Sequence, residues 1–404
     1  MRVLLLAPHP FYQERGTPIA TRLLIKTLSQ RGDEIDVLTF GEGENVYYPN
    51  VTIRRTPGFI RGIRPGFSFR KVLSDFMMIG VATRMMARGS YNIVHAVEES
   101  AFIAILLKAI FRVPYVYDMD SSLAQQMVEK MPYLRPLSPL LRHMEGIAVK
   151  RSMAVIAVCQ ALVDTARFYD EKKHICLLHD VADTEHRLPA TAVDNLRDAI
   201  GLQGPILLYV GNLEPYQGID LVLESFALSR QAMKLHQAQI VIIGGIQKDI
   251  DTYRAKCKRL SIDDAVHFLG PRPLSHLPAY LRQADILLSP RTQGDNTPMK
   301  LYAYLQSGKP VVATDIYSHT QVLDSSIAQL AAPGAQSFAD AIMPLVKDPT
   351  LRATLGAAGR KRVQHQYSYY AYKQKLHTFY GELELRLLAT TYPTATRESG
   401  DRQP

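Results

Sequence analysis

The sequence predicts an α/β protein with two doubly wound parallel sheets, each in a Rossmann-like domain, facing one another across a cleft. Short runs rich in Val, Ile and Leu alternate with longer segments of helical period, as in βαβ units. This rhythm restarts after a turn-rich segment at residues 181–204. A length of 404 residues, of which 47% are hydrophobic, is sufficient for two cores.

The first half of the chain supplies six strand candidates and is expected to form a domain over residues 1–180. Between the first two strands, residues 18–30 place Ile19, Leu23 and Leu28 on one helical stripe. Each later strand is likewise followed by a segment long enough for a crossover helix. The predicted strands cover residues 3–7, 35–40, 92–96, 114–118, 154–158 and 175–179.

The second half repeats the pattern and is expected to form a domain over residues 205–366, joined to the first by a linker at 181–204. Residues 349–388 have helical character, and 367–388 are predicted as a C-terminal helix that could cross back to the first domain. The Thr-, Pro- and charge-rich residues 389–404 are predicted to be a disordered tail. The predicted strands cover residues 206–210, 239–243, 266–269, 285–289, 310–313 and 327–331.

Composition favours a cytoplasmic protein. The three cysteines are widely spaced and odd in number, which fits neither a disulfide framework nor a metal cluster. The opening run MRVLLLAPHP stops at Pro8 without a cleavage site and therefore reads as a strand. No apolar run is long enough to span a bilayer. No metal or other cofactor is expected.

A net charge of +9 favours polyanionic partners. Nucleic acid is disfavoured, because the sequence has no zinc-finger spacing, no RNA-recognition motif and no basic run interleaved with aromatic residues. The segment FIRGIRPGFSFRK at residues 59–71 mixes basic and apolar side chains. It suits peripheral contact with the anionic inner face of a membrane, and it equally suits a solvated loop leading into a helix.

A glycine-bearing loop follows the predicted strand at residues 206–210. In the run YVGNLEPYQGIDLVLESF, the chain is expected to turn at Gly211 and to begin a helix near Gly218. Such a loop presents free backbone N–H groups, which bind phosphate without a side-chain cation. It is not a Walker loop, and no strand is followed by G-x-G-x-x-G, so an oxidoreductase built on two Rossmann-like halves is disfavoured.

A second loop and helix follow the predicted strand that ends at Ser289. In SPRTQGDNTPMKLYAYLQSGKPVVATD, Thr297 is expected to cap a helix that has Pro298 in its first turn and Gly308 after its end. Both loops follow the carboxyl ends of parallel strands, so the two helix N-termini should open into one crevice.

These segments resemble the retaining GT-B glycosyltransferases of family four, the glycosyl transferases group 1 type, over nearly the whole chain. GNLEPYQGIDLVLESF stands in place of the family's Gly-Arg-x-x-x-x-Lys-Gly stretch, and GDNTPMKLYAYLQSGKPVVATD in place of its Glu-x7-Glu block. The first strand bears PHP and precedes a glycine loop. The resemblance implies that the second domain binds a nucleotide sugar, that the first holds the acceptor, and that the sugar is transferred with retention.

The chain departs from the family pattern at the donor site. The arginine and lysine that bind the donor diphosphate in relatives fall on neutral Asn212 and Gln217. Candidate replacements are Arg291 and Lys300, with Arg15 across the cleft. The two glutamates fall on Asp295 and Ala303, and an alanine offers no side-chain acceptor. The donor-binding residues that the resemblance implies are Gly16, Gly211, Asn212, Gln217, Arg291, Asn296, Thr297, Pro298, Met299 and Lys300.

In the first domain, Asp120 falls near the position where relatives carry a histidine beside the sugar. The resemblance therefore makes Asp120 and Asp295 the catalytic candidates, although Asp120 could equally cap the next helix. Asp118 and Asp120 also spell D-x-D, but two carboxylates alone do not make a convincing metal site. The acceptor-side candidates are His95, Glu98 and Glu99. For His95, a structural role is the alternative.

The predicted function is transfer of a sugar from a nucleotide-diphosphate donor to an acceptor that the sequence does not identify: a glycan, a lipid-linked saccharide or a small molecule. The neutral residues Asn212, Gln217 and Ala303 motivate one alternative, a GT-B binding or scaffolding protein without transferase activity. A sugar-nucleotide epimerase, which shares the scaffold but has no acceptor, is a second alternative.

Overall fold

The structure, a computed structural model, describes residues 1–13, 16–58, 60, 62, 69–181, 193, 195–201 and 203–391. The chain divides into two compact units. Unit 1 comprises Met1–Ala157, Leu162–Leu178 and the chain from Lys373 onward, and unit 2 comprises Val158–Ala161 and His179–Tyr372. The predicted fold class, two parallel-sheet α/β domains, is confirmed.

Unit 1 is built on a parallel sheet in the strand order β3-β2-β1-β4-β5-β6-β7 within its described residues. Strands β1 and β2 run in register from Arg2 opposite Glu34 to Ala7 opposite Thr39. Six of its strands correspond to the predicted ones, and β3 is additional. The strands are β1 (Arg2–Ala7), β2 (Glu34–Thr39), β3 (Val51–Arg55), β4 (Ile93–Val97), β5 (Tyr115–Met119), β6 (Ala154–Ala157) and β7 (Ile175–Leu177). The helices between them are α1 (Gly16–Arg31), α2 (Phe69–Arg88), α3 (Ser100–Phe111), α4 (Leu123–Lys130), α5 (Ser138–Arg151) and α6 (Gln160–Tyr169).

Unit 2 repeats the architecture with the strand order β10-β9-β8-β11-β12-β13 in its described part. All of these strands overlap the predicted ones. They are β8 (Ile206–Val210), β9 (Gln239–Ile243), β10 (Val266–Gly270), β11 (Ile286–Ser289), β12 (Val311–Thr314) and β13 (Ala328–Ala331). The helices are α7 (Leu196–Ile200), α8 (Ile219–Leu228), α9 (Arg230–Leu235), α10 (Gln247–Arg259), α11 (Leu277–Gln283), α12 (Lys300–Ser307), α13 (Tyr317–Thr320), α14 (Ala335–Lys347) and α15 (Pro349–Gln366).

The sheet of unit 2 is buried on both faces. Leu207 and Tyr209 of β8 pack into the core layer that includes α8 and α14, whereas Ile206 and Leu208 pack into the opposite layer with α11 and α12. Successive side chains of a strand point to opposite faces, so continuous apolar runs are what a doubly covered parallel sheet requires.

The C-terminal helical region, predicted over residues 349–388 with a separate helix at 367–388, comprises two helices. Helix α15 ends at Gln366 and a new helix, α16 (Tyr369–Thr391), begins after a non-helical Tyr367. The predicted linker at 181–204 contains the short helix α7, and much of the rest of it lies outside the described residues. Of the predicted tail, residues 392–404 lie outside them as well.

Helix α16 is tied to the sheet of unit 1 by a buried hydrogen-bond network. Tyr380 and His95 are both fully buried, and the Tyr380 hydroxyl lies 2.6 Å from His95 Nδ1. The other ring nitrogen, Nε2, lies 2.9 Å from Asp118 Oδ2. At the solvent edge, Arg31 forms an ion pair with Glu384.

Replacing Tyr380 by phenylalanine should therefore destabilise unit 1. The change leaves His95 Nδ1 buried without its partner, which costs about 1–3 kcal/mol. Tyr370→Phe, at a position of α16 that is 72% exposed, is the matched control and should leave the free energy of unfolding unchanged. Urea denaturation of both variants measures the difference, and equal values would contradict the assigned role of the network.

Within the described ranges, none of the helices combines the length and the apolar character that a membrane crossing requires. The segment at residues 59–71, for which membrane contact was predicted from the sequence, lies largely outside the described residues.

Candidate active site

The two predicted phosphate-binding loops of unit 2 pack directly against each other. Gly218 ends the 3-10 turn Pro215–Gln217 with a φ of 75°, and a Cβ added there would lie 2.0 Å from the carbonyl oxygen of Pro290. The Thr292 amide also donates to the Tyr216 carbonyl oxygen at 2.9 Å. Only glycine allows both the left-handed conformation and this approach. The loops after β8 and β11 thus meet at one edge of the sheet, as predicted.

The start of α12 corrects the prediction for the second loop. The helix begins at Lys300 rather than at Pro298, and Met299 precedes it without a side-chain cap. Thr297 therefore does not cap the helix. It is only 8% exposed and lies beside the Tyr302 hydroxyl. Capping statistics favour Thr before Pro, but here burial of the threonine against Tyr302 replaces the capping interaction.

Lys300 packs against the Gly211–Gly218 loop. Its Nζ donates to Gln217 Oε1 at 3.2 Å and sits 4.1 Å from the centroid of the Tyr209 ring. The Tyr209 hydroxyl in turn donates to the backbone carbonyl of Asn212 at 2.6 Å. A cation from α12 thus lies against the Gly211–Gly218 loop, in contact with the Gln217 side chain.

Arg291 brings a second cation to the same loops. Its Nη1 donates to the backbone carbonyl of Asn296 at 2.7 Å, and its guanidinium stacks 5.2 Å from the centroid of the Tyr216 ring. Burial, and repulsion from Arg291, lower the pKa of Lys300 to about 7. Among the described residues, Lys300 forms no ion pair with a carboxylate. A lysine that has no carboxylate partner among these residues and lies near an arginine is suited to binding an anion. The third candidate cation, Arg15, lies outside the described residues.

The other predicted site residues of unit 2 lie in different surroundings. Asp295 is exposed, and its backbone carbonyl accepts a hydrogen bond from Gln321 Nε2 at 2.7 Å. Asn296 Oδ1 lies 3.8 Å from the Cys159 thiol. Ala303 packs against the core layer that contains α11 and α12. An alanine at the position of the second glutamate is therefore a packing residue.

His319, which the sequence does not single out, contacts the ends of the two strands that precede these loops. Its Nε2 lies 2.9 Å from the Ser289 hydroxyl, and its Nδ1 lies 2.8 Å from the Thr314 carbonyl oxygen. The ring is fully buried, and burial lowers its pKa to about 4. A neutral His319 joins the ends of β11 and β12. No signal in the local sequence SHT distinguishes this histidine from a surface one.

In unit 1 the acceptor-side candidates His95 and Glu98 lie in different environments. His95 is enclosed by Tyr380 and Asp118, so its ring has no open nitrogen. Glu98 follows β4 with a φ of 48°, and burial, then repulsion from Glu99, raise its pKa to about 7.

The carboxylates beside β4 form one cluster with a lysine. Lys71 forms an ion pair with Glu99, and Asp75, one helical turn further along α2, has its pKa raised to about 7 by burial and by Glu99. The fully buried hydroxyl of Tyr117 has no hydrogen-bond partner among the described residues. The cluster thus contains both proton donors and proton acceptors.

Asp120 directly follows β5 and is partly buried. It does not cap the next helix, because Ser122 caps α4 by accepting from the Gln125 amide at 3.3 Å. Gly16 is the first residue of α1, and a Cβ there would meet no atom within 4 Å. Among the described residues, no group of three His, Cys, Asp or Glu side chains suits a metal ion.

Two family profiles match this chain. The profile described as Glycosyltransferase Family 4 covers residues 15–186, and the one described as Glycosyl transferases group 1 covers residues 194–362. The chain is also 26% identical over 304 residues to the D-inositol 3-phosphate glycosyltransferase of Corynebacterium aurimucosum. The matched region covers 72% of this chain and 72% of that protein.

Solved structures share the fold over almost the whole chain. A sucrose-phosphate synthase from Thermosynechococcus elongatus superposes with a TM-score of 0.77 at 20% identity, covering 95% of this chain and 99% of that one. The Anabaena protein HepE, solved in complex with UDP-glucose, gives a TM-score of 0.72 at 16% identity, covering 95% of this chain and 100% of that one. With both profiles matched in succession and the two-sheet architecture shared, the chain belongs to glycosyltransferase family 4 and is a glycosyltransferase of the GT-B fold.

Proposed function

We propose that this enzyme transfers a hexosyl group from a nucleoside diphosphate sugar to an acceptor hydroxyl, with retention at the anomeric carbon. The observation that carries the proposal is the position of Lys300 under the Gly211–Gly218 loop, held by Gln217 and the Tyr209 ring. A diphosphate is the ligand whose charge and size match a lysine, an arginine and the amides of a glycine loop.

The donor diphosphate would lie over the loops after β8 and β11. Lys300 and Arg291 neutralise its oxygens there, and the backbone amides that follow Gly218 at the start of α8 supply further donors. This arrangement makes a cation at Asn212 or Gln217 unnecessary. Gln217 instead acts as a positioning residue, because its side-chain oxygen accepts from the Lys300 ammonium.

The transfer step uses the charge of this site. The bond between the anomeric carbon and the β-phosphate oxygen breaks, and its electron pair goes to the diphosphate, which the two cations stabilise. The acceptor oxygen bonds to the anomeric carbon on the same face, and its proton passes to the departing phosphate oxygen. Because the acceptor attacks on the face from which the diphosphate leaves, no protein nucleophile is required. Asp295 is assigned to a hydrogen bond with a sugar hydroxyl.

The acceptor is assigned to unit 1, at Glu98 and Glu99, which are both only partly buried. Glu98, whose pKa is raised to about 7, can donate when it is protonated, and the carboxyl oxygens of Glu99 can accept. Both suit a polyhydroxylated acceptor such as a glycan, a lipid-linked saccharide or a small sugar alcohol. His95 is assigned a positioning role, because it holds Asp118 and Tyr380 in place. UDP-glucose is the first donor to test, since HepE binds it.

A binding protein without transferase activity is the second candidate. It is favoured by Ala303, which packs in the core and leaves the position of the family's second glutamate without an acceptor. The two proposals separate on turnover: both allow the donor to bind, but only the transferase releases the sugar.

Calorimetric titration with UDP-, GDP- and ADP-glucose at two pH values tests the proposal. We expect base-selective binding that is about tenfold weaker at about pH 8 than at about pH 6, because an ammonium with a pKa of about 7 must first take up a proton. The sign follows from the lowered pKa: Lys300 is charged below this value and loses its charge above it. The diphosphate of a nucleotide sugar does not titrate in this range, so the dependence belongs to the protein.

Slow release of free glucose in the same samples supports the transferase. Binding without any release favours the second candidate. If none of the three nucleotide sugars binds at millimolar concentration, the proposed function is wrong.

A further inference from the structure

A chain of buried hydrogen bonds in unit 2 leads to the loop that follows β11. It involves three side chains: Ser289 at the end of β11, Thr314 at the end of β12 and His319 in α13. All three are fully buried, so a ligand does not reach them. Because a buried polar group without a partner is costly, groups that satisfy one another specify one local structure.

The direction of each hydrogen bond follows from the chemistry of its acceptor. His319 Nδ1 lies 2.8 Å from the Thr314 carbonyl oxygen, which can only accept, so Nδ1 carries the ring proton. The ring is neutral, because burial lowers its pKa to about 4, and Nε2 therefore accepts from the Ser289 hydroxyl at 2.9 Å. The Thr314 hydroxyl cannot donate to a protonated Nδ1. Its proton is left for the Arg291 carbonyl oxygen, to which it donates.

The guanidinium of Arg291 depends in turn on the backbone of its own loop. Its Nη1 donates to the Asn296 carbonyl oxygen at 2.7 Å. A Cβ added at Gly294, where φ is 102°, would lie 2.6 Å from its Nη2, so the loop packs closely against the side chain. A displaced Arg291 backbone would therefore carry the guanidinium away from these contacts and from the anion site.

We propose that Thr314 and His319 are positioning residues for Arg291. The histidine fixes Thr314, and the Thr314 hydroxyl holds the Arg291 carbonyl so that the guanidinium stays beside the donor diphosphate. The proposal rests on the proposed function, in which Arg291 binds that diphosphate. The hydrogen bonds themselves form without a donor and can be measured without one.

Two substitutions of Thr314 separate the hydroxyl from the packing. Valine has nearly the same shape as threonine but cannot donate to the Arg291 carbonyl, whereas serine can. Thr314→Val should weaken UDP-glucose binding about three- to tenfold, and Thr314→Ser should retain most of the affinity. Calorimetry is carried out at a temperature at which circular dichroism shows every variant to be folded. Affinities that are equal in both variants would overturn the proposal.

A double-mutant cycle shows whether the effect passes through Arg291. In an Arg291→Ala background, Thr314→Val should cause no further loss of affinity, because the guanidinium that it positions is gone. Ser225→Ala is the matched control: it removes another fully buried hydroxyl of unit 2 that donates to a backbone carbonyl, that of Leu221. It should lower stability without changing the affinity in either background. An equal loss from Thr314→Val in both backgrounds would mean that Thr314 only stabilises the fold.

Nuclear magnetic resonance tests the chain without any ligand. In protein with isotope-labelled histidine and arginine, His319 should be protonated at Nδ1 alone at about pH 7. Thr314→Val should make the Arg291 Nε–H group more mobile than in the unmodified chain, and Thr314→Ser should not. A ring protonated at Nε2, or an Arg291 that is equally mobile in all three proteins, would overturn the proposal. If UDP-glucose does not bind but these signals appear as expected, the proposed function fails while the positioning of Arg291 stands.

Discussion

Replacing Lys300 by methionine should lower the affinity for a nucleotide sugar roughly ten- to a hundredfold, because a charge-assisted hydrogen bond to a diphosphate is worth about 1.5–3 kcal/mol. The thermal midpoint should not fall. Methionine keeps the length and apolar stem of the side chain while removing a partly buried cation that no carboxylate compensates. Calorimetry and thermal denaturation of the same samples give both values.

Lys309→Met is the matched control for this prediction. Lys309 lies just beyond the other end of α12, is also partly buried, and has its pKa lowered by burial. Its replacement should leave donor affinity unchanged. Equal losses in the two variants, or none in Lys300→Met, would mean that the donor diphosphate is held elsewhere.

Replacing Gly218 by alanine should abolish donor binding and lower the thermal midpoint together. The new Cβ would lie 2.0 Å from the Pro290 carbonyl oxygen, and the φ of 75° costs an L-residue about 1–2 kcal/mol before any clash is counted. Relief of the clash separates the loops after β8 and β11, which together carry the anion site.

Gly381→Ala is the control for the backbone change. A Cβ at Gly381 meets no atom within 4 Å, and alanine within α16 should raise stability by about 0.5–1 kcal/mol. Binding is measured at a temperature at which circular dichroism shows every variant to be folded. A Gly218→Ala protein that binds UDP-glucose normally would show that the close approach of the two loops is not needed.

The two sheets could be predicted because their strands are continuous apolar runs. In β8 every residue from Ile206 to Tyr209 is fully buried. Because both faces of the strand are covered, its sequence is a continuous apolar run, which is easily recognised as a strand. Strand β3 escaped prediction because it lies at the edge of its sheet with each residue only half-buried or exposed, and its sequence VTIRR ends in two arginines. A short polar edge strand resembles a loop in sequence.

The candidate site was predictable in its residue types but not in its contacts. Lys300 was a candidate only as a cation near a helix start, and the ring of Tyr209 and the amide of Gln217 that hold it come from far earlier in the chain. His95 gives the same lesson, since Tyr380, its buried partner, is 285 residues away. Long-range partners decide whether a polar residue is a ligand-binding group or a structural one.

A crystal structure with UDP-glucose bound would show directly where the donor diphosphate lies. We expect its oxygens within about 3.2 Å of Lys300 Nζ and of a backbone amide that follows Gly218. A diphosphate bound away from Lys300, with the loop of Gly218 empty, would contradict this expectation.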